Sequence, residues 1–321
     1  MRAAERIAIL LAAYNGARYL ETQLESLRTQ TVQEFVCYIH DDGSDDGTQQ
    51  IAASYCSRYP EHFIYLGSSR TGGSKYNFMY LLREVEADYI MFCDQDDVWL
   101  PEKVEKTYLA MRQAQEQTGC ADAVPVCVFS DLMVVDAQLK VVNPSFYAYS
   151  SKNPERTSLR QLLYNNVAPG CTMMINAPLR RLMLAADVAD KIHMHDWLAM
   201  LLASAAGKIV FINESLIWYR QHGDNAIGAT RRRSLPQKLR KLFRLKSWTL
   251  EKRHYFENLR GNAQAVLLCL EAGNDVLLQD FEAVVMAEES KNEIRHFISR
   301  FEGPFLVRLL RLYMDRNRLS E

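Results

Sequence analysis

At 321 residues the chain has room for about two domains of ordinary size. Hydrophobic residues make up 48% and charged residues 24%, the balance of a soluble globular protein with ample core, which excludes collagenous and low-complexity chains. The net charge of −1 gives no global field favouring nucleic acid, and no window approaches the roughly 18 apolar residues of a membrane span.

From the N-terminus, residues 6–13 form a near-continuous apolar run ended by the turn-prone Asn15-Gly16, which predicts a buried strand. The run is too short for a secretion signal and lacks a cleavage pattern, so a cytoplasmic location is expected. Residues 17–28 space Tyr19, Leu20, Gln23, Leu24 and Leu27 as a helix does. Residues 34–40 predict the next strand, closing in the turn-rich DDGSDDGT; 48–58 read as helix, 62–66 as strand and 75–85 as helix. Residues 88–93 are another apolar run, closed by Asp94-Gln95-Asp96-Asp97, and Pro101 opens a helix at a favoured first position. Further on, 124–130 and 132–142 read as two strands around Asp131, Pro178 begins a helix, and 195–206 are helical. Residues 208–212 and 216–221 read as two last strands leading to His222. After Gly228 the pattern is basic and then helical, at 263–271, 276–289, 294–301 and 305–314. A boundary is therefore expected near residue 230, with an α/β domain over 1–230 and a basic, helical region over 231–321.

Strands alternating with helices indicate a doubly wound, mostly parallel sheet, Rossmann-like in its layering, because each crossover must cover a sheet face. Ligands of such sheets bind beyond the carboxyl ends of the strands. Both acidic clusters, 41–46 and 94–97, fall at those ends. Seven cysteines, an odd number without any CxxC, read as reduced buried thiols rather than a disulfide scaffold or zinc site. Between 231 and 254 ten basic residues stand against the single acid Glu251, a local +9 that leaves −10 on the rest of the chain. Its leucines and Phe243 cluster on one helical face, which fits either an anionic membrane surface or docking on the acidic body.

Three carboxylates among Asp94, Asp96 and Asp97 repel one another, and a divalent cation would relieve that repulsion. Mg²⁺, taking one or two carboxylates plus water and phosphate oxygens, suits a nucleoside diphosphate. A solvated turn in which Asp97 caps a helix is the competing reading. An EF-hand at Asp42 fails, because its twelfth position is Ala53. Asp42 is then a strand-end acceptor for a base or ribose, while Asp45, Asp46 and Thr48 are candidate helix caps. Asp196 is either an N-cap or a base for a sugar hydroxyl, and His222 a metal ligand or a turn histidine. His193 and His195 lack a third zinc ligand, and no phosphate loop, GxGxxG or GxSxG occurs.

In combination these residues resemble a family-two glycosyltransferase of the GT-A fold, in its bacterial rhamnosyltransferase-like branch. The resemblance runs through Ala13-Tyr14-Asn15-Gly16 with Tyr19-Leu20, then Ser26-Leu27 and Gln30-Thr31, then Asp41-Asp42-Gly43-Ser44 with Asp46-Gly47-Thr48. It continues with Asn77-Phe78, Asp94-Gln95-Asp96-Asp97-Val98-Trp99, Gly170-Cys171-Thr172, His195-Asp196-Trp197 and Tyr219 to Asn225, covering about residues 6–228. It departs at Gly72-Gly73, where relatives often carry Gly-Val. The resemblance implies an inverting, metal-dependent transferase that moves rhamnose or a hexose from a dTDP- or UDP-linked donor. The implied acceptor is a hydroxyl of a saccharide or lipid-linked saccharide in bacterial surface polysaccharide synthesis. It implies nucleotide contacts from Ala13, Tyr14, Asn15, Asp42, Asp94 and Gln95, and Mg²⁺ or Mn²⁺ on Asp96 and His222, with Asp94 a further candidate ligand. Asp196 would be the catalytic base, and Gly170, Cys171, Thr172, His195 and Trp197 would border the acceptor. Nucleic acid is not an expected partner; a homodimer or peripheral membrane contact through the C-terminal region is. A nucleotidyltransferase would need a Gly- and Lys/Arg-rich N-terminal loop, where residues 11–19 hold only Gly16 and Arg18. A non-catalytic nucleotide- or carbohydrate-binding module on the same fold would bind without turnover.

Overall fold

The computed structural model describes residues 6–118, 123–150, 152–222, 257–258, 261–266 and 268–270. The boundary expected at 230, the basic segment and the helices expected beyond 271 lie outside these residues, as does Cys120.

The chain begins with β1 (Ile7–Ala13), α1 (Ala17–Arg28), β2 (Phe35–Asp41), α2 (Thr48–Arg58), β3 (Phe63–Ser68), α3 (Ser74–Glu84) and β4 (Tyr89–Asp94). Six of seven β1 residues are buried regardless of which way they point, the signature of a strand covered on both faces. These four strands are parallel in the order β3-β2-β1-β4, and pairing sets Ala13 beside Asp41 and Ala12 beside Asp94. The two acidic clusters thus emerge on either side of the end of β1 at the carboxyl ends of the strands, as their place in the sequence predicts.

The second half comprises β5 (Val98–Trp99), α4 (Lys103–Glu116), β6 (Val126–Asp136), β7 (Val141–Asn143), α5 (Phe146–Ser150) and α6 (Leu159–Tyr164). A 3₁₀ turn (Gly170–Thr172), β8 (Met173–Asn176), α7 (Ala177–Met183), α8 (His195–Ala206) and β9 (Lys208–Gln221) follow. β8 runs antiparallel between β4 and β6, β9 lies parallel to β6, and β5 closes the row beyond β9, with β7 paired to β6. Six strands therefore share one direction while β5, β7 and β8 oppose it.

Two expectations are corrected here. Asp131 does not separate two strands: β6 runs through it, because its carboxylate is itself buried and fully engaged. Its Oδ1 accepts from Leu132 N (2.7 Å) and Phe146 N (3.0 Å), and Oδ2 from the Ser145 hydroxyl (2.5 Å). Likewise 208–221 is one strand, held to β6 across two register shifts. The helical pieces at 261–266 and 268–270 place Ala263, Ala265, Val266 and Cys269 in the same core as the sheet. The Asn262 side chain accepts from His193 N at 2.9 Å. The described cysteines are free, with only Cys56 less than fully buried, as reduced core thiols should be.

Candidate functional site

The end of β1 is fixed from three sides. Asp42 N and the Asn77 amide both donate to the Ala13 carbonyl, at 2.8 and 3.4 Å. Gln95 brackets Tyr14, its Oε1 accepting from Tyr14 N (2.8 Å) and its Nε2 donating to Tyr14 O (2.7 Å). Asn15, in the left-handed region at φ 47°, donates its N–H to Ser44 Oγ (2.8 Å). Gly16 is required by close approach: a Cβ there would lie 2.0 Å from Gln95 Oε1. Gly16→Val is accordingly expected to break the Gln95 clamp, costing about 1–3 kcal/mol of stability together with nucleotide affinity. A thermal melt and a nucleotide titration check both, and wild-type values for each would contradict the clamp.

The next cluster divides its labour. Asp46 serves two helix starts at once, accepting from Ala17 N (3.0 Å) at α1 and Thr48 N (3.1 Å) at α2. Burial would raise its carboxyl, but these donations and that of the Thr48 hydroxyl outweigh it and lower it. Asp41 is fully buried and turns the chain by accepting from Gly43 N (3.1 Å), Ser44 N (2.8 Å) and the Ser68 hydroxyl (2.5 Å). Asp42 faces the cavity. Its oxygens accept from Thr71 N, the Thr71 hydroxyl (2.8 Å), Gly72 N (3.2 Å) and Gly73 N (2.8 Å). Burial opposes the charge here too, yet the donations hold this carboxyl below the usual range. Asp42 therefore shapes the wall built by the Gly72-Gly73 loop.

At the end of β4, Asp96 Oδ2 and His222 Nε2 are 2.7 Å apart, 126 positions from one another in sequence. The Tyr19 ring packs on His222, with centroids 4.7 Å apart. Arg220 holds the loop from behind, its Nε on the Asp96 carbonyl (2.8 Å) and its N–H on Asp97 Oδ1 (3.1 Å). Asp97 is no helix cap: α4 starts at Lys103, while Asp97 is wholly buried with Oδ2 unpartnered. Burial, then the charges of Asp96 and Asp196, push Asp94 up to about 7. Burial and the Asp96 and Asp94 charges also push Asp97 well up. Ligand atoms of Asp94, Asp97 and Cys171 all lie within 4.8 Å of one another. An oxygen-rich set with one imidazole, under electrostatic stress that positive charge would relieve, fits Mg²⁺ or Mn²⁺.

Across the cavity, α8 begins at His195 with Met194 as its N-cap and no side-chain cap, so Asp196 is free of the capping role. Asp196 Oδ2 accepts from Gly170 N (3.0 Å), while the buried Oδ1 has no hydrogen-bond partner. Burial pushes this carboxyl up to about 6, tempered by the Trp197 N–H, Lys152 and the Gly170 N–H. Gly170 is again a matter of space, since a Cβ there would stand 3.0 Å from His195 Nε2 and 3.3 Å from Asp196 Cβ. His195 is sandwiched by Phe78 and Phe92 at centroid distances of 4.1 and 4.7 Å, and burial pushes it down to about 3, so it stays neutral. Trp197 donates Nε1 to Leu162 O (2.6 Å).

A cavity of about 770 Å³ joins these groups, large enough for a nucleotide sugar. Among the expected residues Ala13, Tyr14, Asp42, Asp94, Gln95, Asp96, Gly170, Cys171, His195, Asp196 and Trp197 line it. Three stand outside the lining. Asn15 instead ties the β1 loop to Ser44, His222 backs Asp96, and Thr172 is fully buried with its hydroxyl on Pro169 O (2.7 Å). The structure adds Arg70, Lys152, Asn166 and Tyr219 to the wall. Sequence reasoning passed over Arg70, Lys152 and Asn166, which sit in irregular segments without a periodic or motif signal.

The Glycosyl transferase family 2 model matches residues 8–182. The dTDP-rhamnosyl transferase RfbG of Shigella flexneri is 26% identical over 229 residues, covering 68% of this chain and 74% of that protein. An uncharacterized glycosyltransferase of Rickettsia prowazekii is 27% identical over 217 residues, 67% of this chain and 64% of its own length, so the match spans less than two thirds of that relative. Among solved structures, S. aureus TarS 1–349 in complex with UDP-GlcNAc superposes with a TM-score of 0.55 at 16% identity, covering 92% of this chain and 79% of that one.

Proposed function

The chain belongs to glycosyl transferase family 2, and from that premise we propose that it is an inverting transferase. It moves rhamnose or a hexose from a dTDP- or UDP-linked donor to a hydroxyl of a saccharide or lipid-linked acceptor, in bacterial surface polysaccharide synthesis. The observation that carries this reading is that Asp196, whose buried Oδ1 has no hydrogen-bond partner, lines the same cavity as Asp42, Asp94 and Asp96. The S. flexneri relative, a dTDP-rhamnosyl transferase, supports a deoxythymidine donor, and the TarS structure, which holds UDP-GlcNAc, a uridine one.

In this reading the β1 loop, Asp42 and the Gly72-Gly73 wall receive the nucleoside, and the diphosphate meets the Asp94–Asp96 end. A divalent cation held by Asp96 and His222, with Asp94 beside them, would neutralise charge growing on the departing diphosphate. Asp196 Oδ1 takes the proton of the acceptor hydroxyl as that oxygen bonds to the anomeric carbon. The bond from that carbon to the diphosphate oxygen breaks on the opposite face, which inverts the anomeric configuration. Gly170 N–H holds the other carboxylate oxygen throughout. Cys171 and Trp197 border the acceptor, while neutral His195 forms the rigid backing that fixes Asp196.

No helix among the described residues is long and apolar enough to cross a membrane. An acceptor on a lipid would suit peripheral contact through 231–254, in the manner of a basic surface helix.

A panel of dTDP- and UDP-sugars, screened by thermal shift with Mg²⁺ or Mn²⁺, tests the donor half. Stabilisation is expected for donors of one nucleotide and to be larger with the cation than without it. NMR of the product formed from that donor and a saccharide acceptor is expected to show the inverted anomer. Retained configuration would overturn the mechanism, and binding without any turnover would reduce the protein to a binding module.

A further inference from the structure

Four carboxylates line the cavity, yet among the described residues the only Lys or Arg side chains in its wall are Arg70 and Lys152. Arg70 packs at the Asp42 end, where its Cγ would lie 2.8 Å from a Cβ on Gly43. Lys152 lies on the other side, half-buried and anchored. Its Nζ donates to the Asn166 carbonyl at 2.8 Å and stands 5.7 Å from the Phe146 ring centroid. Asn166 is itself locked, its Nδ2 donating to Ala168 O (2.9 Å) and its Oδ1 accepting from Ala168 N (3.1 Å). Two residues later Gly170 N–H holds Asp196 Oδ2 at 3.0 Å. One short turn, 166–170, thus carries both the anchor of the ammonium and the donor that orients the carboxylate.

We propose that Lys152 is a positioning residue for Asp196: fixed on the 166–170 turn, its ammonium stabilises the carboxylate that accepts the acceptor's proton. The inference rests on the reading of Asp196 as base. The other groups around Asp196 cannot replace it. Asp94, from the end of β4, is negative when ionised and raises rather than relieves the demand for positive charge. Cys127, from β6, is a thiol that burial keeps protonated, and His195 on α8 is held neutral by burial. The Gly170 and Trp197 N–H groups and the Asn166 side-chain amide bring dipoles rather than charge. Burial drives Asp196 toward its neutral form, and among the described residues Lys152 is the cation that acts against this. The effect is mutual: burial lowers the Lys152 ammonium, and Asp196 raises it.

The test titrates the full-length protein without donor, by ¹³C NMR of aspartate side-chain carboxyls, with the Asp196 signal assigned by its loss in Asp196→Asn. Lys152→Met is expected to raise the Asp196 midpoint by about one pH unit and to move the acid limb of transfer by the same amount. Activity lost at pH 6–7 should recover as pH rises, with the donor KM unmoved. Lys152→Arg should restore both readouts. Lys152→Gln, which keeps a donor for the Asn166 carbonyl, should behave like Lys152→Met and separates charge from anchoring should the methionine variant fold poorly. Arg70→Met should leave the midpoint where it is. An unmoved midpoint in Lys152→Met and Lys152→Gln overturns the inference, whatever happens to activity. A pH-independent loss with a raised acceptor KM would make Lys152 a substrate contact instead. A shifted midpoint in a protein that transfers no sugar would sink the proposed function and leave the Lys152–Asp196 coupling standing.

Discussion

Asp196→Asn is expected to lower sugar transfer by about 10³-fold while nucleotide binding stays at the wild-type level. The amide oxygen can still accept from Gly170 N–H, so the fold of the 166–170 turn survives, but nothing at Oδ1's place can take a proton. The same substitution should stabilise the protein, and the sign follows from burial. In the folded chain this carboxyl sits at about 6 against an ordinary value of 3.8, so folding favours the protonated form. The wild type therefore loses stability as pH climbs from about 4 to about 6, up to about 3 kcal/mol. The asparagine variant does not. Its melting temperature should exceed the wild type's at pH 8, with the gap closing below pH 4. Wild-type transfer should likewise fall as pH drops through about 6, where the base becomes protonated. A variant that turns over normally, or that melts below the wild type at pH 8, would remove Asp196 from the role.

Asp96→Ala should act on the other half of the reaction. It deletes the carboxylate that meets His222 at 2.7 Å, and with it the part of nucleotide affinity that depends on the cation. In calorimetric titrations with dTDP or UDP, the wild type should bind more tightly with Mn²⁺ than in chelator. The variant should give one weak affinity under both conditions, and transfer should drop about 10²- to 10³-fold. His222→Ala should follow in the same direction, since its ring would hold the cation together with Asp96, which it meets at 2.7 Å. A cation-enhanced affinity that survives Asp96→Ala would place the metal elsewhere, with the Asp94, Asp97 and Cys171 group as the next location to examine.

Much of this site is legible in the sequence because it lies where two regular patterns stop. Apolar runs ending in Ala13, Asp41 and Asp94 must pair side by side in a parallel sheet, so their trailing residues meet without any long-range information. The match of Asp96 with His222 is visible only through the resemblance, because it depends on β9 returning to the sheet through β6 and β5. The choice of Asp42 over Asp41 follows from its place just past the strand and from the resemblance, while the burial of Asp41 is not legible. Neighbouring carboxylates alternate in direction at a strand end, and only the course of the 68–73 loop decides which one turns inward. Asp97 shows the converse limit: composition reads it as a surface cap, yet Arg220 N–H and the strand above it bury it. The splitting of β6 at Asp131 and of β9 at 213–215 has a related cause. A polar residue breaks the apolar pattern, but cross-strand pairing and local donors carry the backbone straight through. Lys152 gives no signal at all, since a lone lysine in an irregular segment acquires its role only from the carboxylate the fold brings beside it.

The most direct test of the account is an anomalous-scattering map from crystals grown with Mn²⁺ and the diphosphate of the preferred nucleotide. The account predicts one manganese peak at Asp96 and His222 beside the diphosphate, with the nucleoside along Tyr14, Asp42 and the Gly72-Gly73 loop and the β-phosphate directed toward Asp196. A nucleotide seated outside this cavity, or manganese bound away from Asp96, would contradict it.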